Sequence, residues 1–298
     1  MFLRSPSPCG TAILVALGLG GALFAGPAAA AREPSWTLSP AANQFGSGRS
    51  SFTYTLSPGA EVADGVVVAN HGDSPLRLTL RGADAATNEA GEISLHASSS
   101  GVGAWVRLAR GGAVTVPPGQ SVSVPFSLAL PDDAAPGDHV GGIVASSPGS
   151  TALPIRVRAG GPLKPSLAVE DVRVDGDAVK YTVHNTGNAI LSARQTVSVS
   201  GPFGSFGVDA NTLVDTPALL PGERWPVSAP VPGVRRAVRL SATVTLVPLL
   251  TDAAGSTAPL AARQTTAHTW AIPWALPLAL LVAALLATAA LTRRRIRA

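Results

Sequence analysis

Residues 238–246, Val238-Arg239-Leu240-Ser241-Ala242-Thr243-Val244-Thr245-Leu246, decide the fold class. Val238, Leu240, Ala242, Val244 and Leu246 recur at a period of two, and Arg239, Ser241, Thr243 and Thr245 fill the alternate positions. That pattern belongs to a strand with one buried face and one wet face. Working outward, the same alternation returns in Phe52-Tyr54-Leu56, in Leu76-Leu78-Leu80 against Arg77-Thr79-Arg81, and in Leu153-Ile155-Val157. Val122, Val124, Phe126, Leu128 and Leu130 form a longer stripe whose Pro125 predicts an edge or a bulge. Leu167, Val169, Val172 and Val174 lead into Asp175-Gly176-Asp177, after which Val179, Tyr181 and Val183 resume the alternation, so a hairpin is expected there. No stretch between the two ends of the chain sustains an apolar period of 3.6. Many short strands with one solvated face predict an all-β protein made of antiparallel sandwiches of immunoglobulin type.

Two segments echo each other. Val66-Val67-Val68-Ala69-Asn70-His71-Gly72 matches Tyr181-Thr182-Val183-His184-Asn185-Thr186-Gly187, each with an Asn-x-Gly that predicts a turn with positive φ. Val116-Pro117-Pro118-Gly119-Gln120 similarly matches Leu219-Leu220-Pro221-Gly222-Glu223, each ahead of a strand. The repeat implies two tandem sandwiches, 36–159 and 163–268, joined through Gly160 to Pro165. The first carries a polar insertion around Asp84 to Gly103, expected to be exposed.

The ends set the address. Arg4, the apolar run Thr11 to Gly26, and the small residues Ala28 to Ala31 have the order of a secretory signal over 1–31. Trp270 to Leu291 carries no charge over 22 residues, enough for a transmembrane helix. Seven leucines and Val282 in its second part favour insertion by about 2–5 kcal/mol in all. The short tail 292–298 holds Arg293, Arg294, Arg295 and Arg297, which places it in the cytoplasm and everything between the two segments outside. The expectation is a single-pass type I protein of the cell membrane with an extracellular ectodomain. Setting aside Arg4 and those four arginines reduces 22 basic residues to 17, against 18 acidic ones. A near-neutral ectodomain offers no electrostatic pull on nucleic acid. The single cysteine, Cys9, precedes the apolar run of the signal, so no disulfide is expected in the mature chain.

Within the first sandwich, several segments resemble one known family. They are Phe52-Thr53-Tyr54-Thr55-Leu56-Ser57-Pro58-Gly59, Val66 to Asn70, Gly82-Ala83-Asp84-Ala85, the Gly101-to-Trp105 spacing, and Pro117-Pro118-Gly119-Gln120. The last is Leu130-Pro131-Asp132-Asp133-Ala134-Ala135-Pro136-Gly137-Asp138-His139-Val140-Gly141-Gly142-Ile143. Together they resemble the WxL-interacting proteins of Gram-positive bacteria, whose first extracellular domain is described as peptidoglycan-binding. The resemblance covers about 120 residues of the first sandwich, and the second shares only the architecture. It implies a cell-wall polymer as ligand and a secreted surface protein as a further partner.

The residues themselves argue against catalysis. The five histidines are scattered, without a zinc spacing, and there is no nucleophile elbow and no Ser-x-x-Lys. Asp175-Gly176-Asp177 lacks the further acids of a calcium loop. No enzyme activity, metal or cofactor is therefore expected. Asp138-His139 is the one pair placed for proton chemistry, and capping of a turn is its ordinary use. Trp105, with Arg107 two residues on, would face one side of a strand and could offer a stacking ring beside a fork of donors; packing in the core is its other use. The expected function is a non-catalytic surface protein that binds peptidoglycan or scaffolds surface proteins, with ligand contacts from Trp105, Arg107, Asp138 and His139. The alternatives are an adaptor that takes a partner strand on a sheet edge and an accessory subunit of an envelope complex.

Overall fold

The alternating runs become strands, and the strands divide between two apolar cores. The computed structural model describes residues 35–96, 100–147, 149–202, 206–233, 240–251, 256–269 and 281–288. In the first sandwich, one sheet runs β1 (Trp36–Pro40), β3 (Glu61–Asn70), β8 (Ser121–Ala129), β6 (Val106–Leu108). The facing sheet runs β2 (Phe52–Leu56), β10 (Gly149–Ala159), β9 (Gly137–Ser147), β4 (Leu76–Thr87), β5 (Ile93–His96), with β7 (Ala113–Val116) also on β4. The chain changes sheets early: β1 pairs antiparallel with β3, whereas β2 crosses over and runs parallel to β10. That crossover is an immunoglobulin-type arrangement.

Phe52, Val66, Val68, Leu128, Ile143, Ile155 and Val157 fill the space between these sheets with essentially no exposure. The Phe52 ring meets Phe126 edge-on at 5.1 Å, a favoured aromatic geometry. One charged group also bridges the layers. The Asp64 carboxylate on β3 accepts from the Tyr54 hydroxyl on β2 at 2.6 Å, from Arg49 at 2.8 and 3.0 Å, and from Asn43 at 2.6 Å. Burial pushes this carboxyl up, but the Arg49, Tyr54 and Gly65 donors prevail and hold it down at about 2.

The second sandwich pairs β11 (Leu167–Asp175), β12 (Ala178–Asn185) and β15 (Arg224–Pro230) in one sheet. Its other sheet is β14 (Gly207–Asp209), β13 (Leu191–Ser200) and β16 (Leu240–Thr251), with β17 (Thr257–Pro259) and β18 (Arg263–Thr269) successively on the far side of β16. The expected hairpin joins β11 to β12, with Gly176 at φ 61° in the turn. Tyr181, Val183, Leu191, Val197, Val244 and Leu246 build this core.

Pro125 takes the edge alternative and not the bulge: the backbone bonds beside β8 leave Gly65↔Pro125 a non-hydrogen-bonded pair, so its nitrogen faces away from β3, where β6 covers only residues 126–128. Two details differ from expectation. Gly72 and Gly187 are not in the positive-φ region. The polar insertion is not a free loop: β4 continues through it to Thr87, β5 returns along β4, and a single helical turn, α1 (Val102–Trp105), packs beneath. The expected signal (1–31), most of the expected membrane span (270–291) and the tail (292–298) lie outside the described residues. Residues 281–288 are helical, and among the described residues no helix is long and apolar enough to cross a membrane.

Candidate functional site: the cleft between the sandwiches

Asp138 is the second residue of β9, with its side chain on the outer face of the larger first sheet, where the second sandwich docks. Its carboxylate takes Arg158 Nε at 2.7 Å and Nη2 at 3.0 Å, with Arg156 at 3.4 Å. It also accepts the backbone N–H of Ile190, across the domain boundary, at 3.0 Å. The side chain is wholly buried. Burial pushes the carboxyl up, and the Arg158 and Ile190 donors together with the Arg156 charge outweigh it, so the group sits below the usual range. The Asp138 N–H in turn donates to the Asn188 carbonyl at 2.8 Å. Asn188 Nδ2 donates to Pro136 and Pro162, and its Oδ1 receives Lys164 N–H at 2.6 Å. Gly137 is glycine for a steric reason: at φ 126°, a Cβ would overlap the Asn188 carbonyl.

A second clamp lies alongside. Glu223 accepts the Thr87 N–H at 2.7 Å and its hydroxyl at 2.6 Å, and also Leu220 N–H at 2.8 Å. Asp84 points into the insertion instead, collecting the N–H groups of Ser100, Gly101 and Gly103 at 3.0, 3.0 and 2.7 Å. Burial opposes ionisation of Asp84, but those backbone donors hold its carboxyl low. All three acids lining this side of the cleft thus serve as acceptors for the frame.

Between them lies an open cavity of about 420 Å³ lined by Asp84, Gly101, Val102, Pro136, His139, Asn188 and Pro221 among others. On the outer face of the same sheet a more apolar groove of about 400 Å³ runs over Val140 and Pro154, between Ile93, Leu95 and the wall formed by Ile190, Ala218 and Thr251.

The four residues singled out from sequence separate into three roles. Asp138 is committed to the domain junction. His139 does not bond to Asp138: its Nε2 meets the Ala135 carbonyl at 2.8 Å, and its ring stands edge-on to Trp105 at 5.0 Å. Trp105 is half-buried against the first core and belongs to α1, whereas Arg107 is exposed on β6, so the two do not share one strand face. Among the described residues no cluster of His, Cys, Asp and Glu is arranged for a metal. The frame residues Arg156, Arg158, Asn188, Ile190 and Glu223 were not singled out from sequence. Glu223 lies in the Pro-Gly echo and Asn188 just after the Asn-x-Gly, which mark where the corners lie but not what docks on them; Arg156 and Arg158 show in sequence only as the alternate positions of the Leu153-Ile155-Val157 strand.

Comparison with protein-family models and with curated proteins finds no match. Solved structures with similar folds include the CupB2 chaperone of Pseudomonas aeruginosa (9% identity, 76% of this chain and 99% of that one, TM-score 0.33). The E. coli chaperone DraB gives 11%, 78%, 96% and 0.35. A family 123 glycoside hydrolase from Clostridium perfringens gives 13% identity over 44% of this chain and 28% of that one, TM-score 0.33. The chain thus spans little more than a quarter of the hydrolase's length. At these identities and TM-scores the likeness carries no argument about what the chain does, and the β-sandwich architecture rests on its own sheets and cores.

Proposed function

We propose that the chain is a non-catalytic adaptor of the cell surface, a rigid pair of sandwiches that holds a partner protein at the envelope by pairing a partner strand with a free sheet edge. The observation that carries this reading is the buried Asp138 junction. It takes an acid that could have served chemistry and spends it on fixing the angle between two domains. A fixed angle suits a protein that presents surfaces, because a pre-ordered frame loses less entropy when a partner binds. The apolar C-terminal segment and the signal-like N-terminus support a surface address.

Peptidoglycan is the second reading. It is favoured by the resemblance of the first sandwich to the WxL-interacting proteins and by the Trp105–His139 ring pair at the cleft. Retention of the purified full chain on native cell walls, compared with walls stripped of protein, separates the two. The adaptor reading expects retention on native walls and its loss on stripped ones. Retention on stripped walls that muramidase abolishes would reassign the ligand to the polymer. Retention on neither, above an unrelated β-sandwich, would remove both.

A further inference from the structure

The edges of these sheets are not equally protected. On β15, the ladder to β12 turns residues 224, 226, 228 and 230 outward, and two of them are Pro226 and Pro230, which have no N–H to offer. The outward positions of β1 end in Pro40. β11 is broken by an irregularity between Glu170 and Arg173, where Asp171 has φ 55°, and β18 runs beside β11. Among the described residues, β5 has none of these guards. The Asn88 N–H bonds to the Glu92 carbonyl at 2.8 Å, which sets the phase of the β4–β5 ladder. Ala86↔Ser94 and Asp84↔His96 are then the hydrogen-bonded pairs, and the backbone N–H and C=O of Ile93 and Leu95 point away from β4 to the open side. The strand has neither proline nor lysine, and Ile93 is 42% exposed, one of few large apolar side chains so placed among the described residues.

We propose that β5 pairs with β5 of a second copy of this chain, antiparallel across a two-fold axis through Ser94. The sequence is self-complementary in that register. Ile93 stands opposite Leu95 of the second copy and Leu95 opposite Ile93, and these are the residues with outward backbone groups. Each such pair exchanges two backbone hydrogen bonds. Their apolar side chains meet on the outer face, where Leu95 already lies over Gly142. One step outward, Glu92 faces His96 at both ends, an acceptor opposite a group that can donate, and no like charges are opposed. A two-fold contact of this kind is closed, so it stops at a dimer rather than growing a filament. It also covers a strand edge that carries neither proline nor lysine, and leaves the ends of the other sheets to a partner strand.

The test uses the full chain in mild detergent, with mass measured by sedimentation velocity across a dilution series. A dimer is expected, and Ile93→Lys is expected to raise its dissociation midpoint tenfold or more without lowering the thermal midpoint, because Ile93 is exposed. Glu92→Lys should weaken the dimer, and Glu92→Lys with His96→Glu should restore it. Ser94→Cys in a Cys9→Ser background should form a covalent dimer under mild oxidation, because a non-hydrogen-bonded pair brings Cα atoms to about 4.5 Å, within disulfide reach. Ser121→Cys, exposed on the other sheet, is the control. A chain that stays monomeric would overturn the proposal. So would a dimer indifferent to Ile93→Lys, or Ser94→Cys cross-linking no better than the control.

Discussion

At the scale of single residues, the two sandwiches are closed by one device used twice. Asn70 and Asn185 are both buried polar side chains at the end of a strand. Asn70 Nδ2 donates to Ser74 and Val116 carbonyls, and Asn185 Nδ2 to Ala189 and Leu219 carbonyls; each Oδ1 receives the N–H two residues on. Their own N–H groups go to Gln120 and Glu223. The two halves of the sequence echo are therefore the two sides of one corner, which was legible because it repeats. Its physical cause was not legible. The Asn-x-Gly suggested a left-handed turn, whereas Gly187 is needed because a Cβ would overlap Ser166 and Lys164 backbone atoms. Asn185→Ala leaves two buried carbonyls and an N–H short of partners, so a loss of about 1–3 kcal/mol is expected in chemical denaturation. Asn70→Ala should cost a similar amount in the first sandwich. The Asp64 cluster carries a pH signature. Its carboxyl is held at about 2, below the value of 3.8 that serves for the unfolded chain, so the unfolded state binds the extra proton in acid. The associated stability is present above about pH 4 and drains away between about pH 4 and 2. Asp64→Asn should flatten that part of the stability–pH curve; an unchanged acid limb would mean the cluster is not the source.

At the scale of elements, period-two alternation read the strands well where a strand has one wet face. Leu76 to Arg81, Leu153 to Val157 and the hairpin around Gly176 all appear where the pattern placed them. Alternation failed where both faces are covered by protein. β4 runs on from Arg81 through Gly82-Ala83-Asp84-Ala85-Ala86, a run with no apolar stripe, because α1 lies against Gly82 on one side while on the other Leu95 of the neighbouring β5 reaches over to Gly142 of β9. Small residues are the requirement there. A Cβ at Gly82 would overlap the Gly103 carbonyl, and one at Gly141 would overlap Val102. Gly82→Ala is therefore expected to unseat α1 and cost about 1–3 kcal/mol in chemical denaturation, although alanine is ordinarily the better residue outside turns. Loss of the Trp105 near-ultraviolet signal at low denaturant, ahead of global unfolding, would locate the damage in α1. The sequence places Trp105 and Arg107 on one strand face because nothing in two residues of spacing distinguishes a helical turn entering a strand from the strand itself.

At the scale of the whole molecule, the angle between the sandwiches depends on contacts whose partners lie about 50 residues apart in sequence. Asp138 with Ile190, and Pro136 with Asn188, are such pairs, and Thr87 with Glu223 spans a still longer separation. No local pattern announces such pairs, which is why Asp138 looked like a ligand contact or a turn cap and proved to be the junction. Its charge state sets how firmly the frame holds. Because the folded carboxyl lies below its unfolded value, the junction is at full strength above about pH 4 and weakens as pH falls through the lowered value. Asp138→Ala removes the acceptor for Ile190 N–H and the carboxylate that takes two Arg158 N–H groups, a loss of about 1.5–3 kcal/mol concentrated at the boundary. Both cores are untouched by that change, so each sandwich should keep its own strands while their coupling falls. The expected outcome is a larger radius of gyration in solution scattering, faster proteolysis between Gly160 and Ser166, and a single unfolding transition that separates into two. Gly137→Val presses on the same junction from the other side, through the Asn188 carbonyl, and should reproduce the separation while leaving Asp138 in place. If both variants keep the compact shape and one transition, the sandwiches are held together by something other than this latch, and the adaptor reading loses the rigid frame on which it stands.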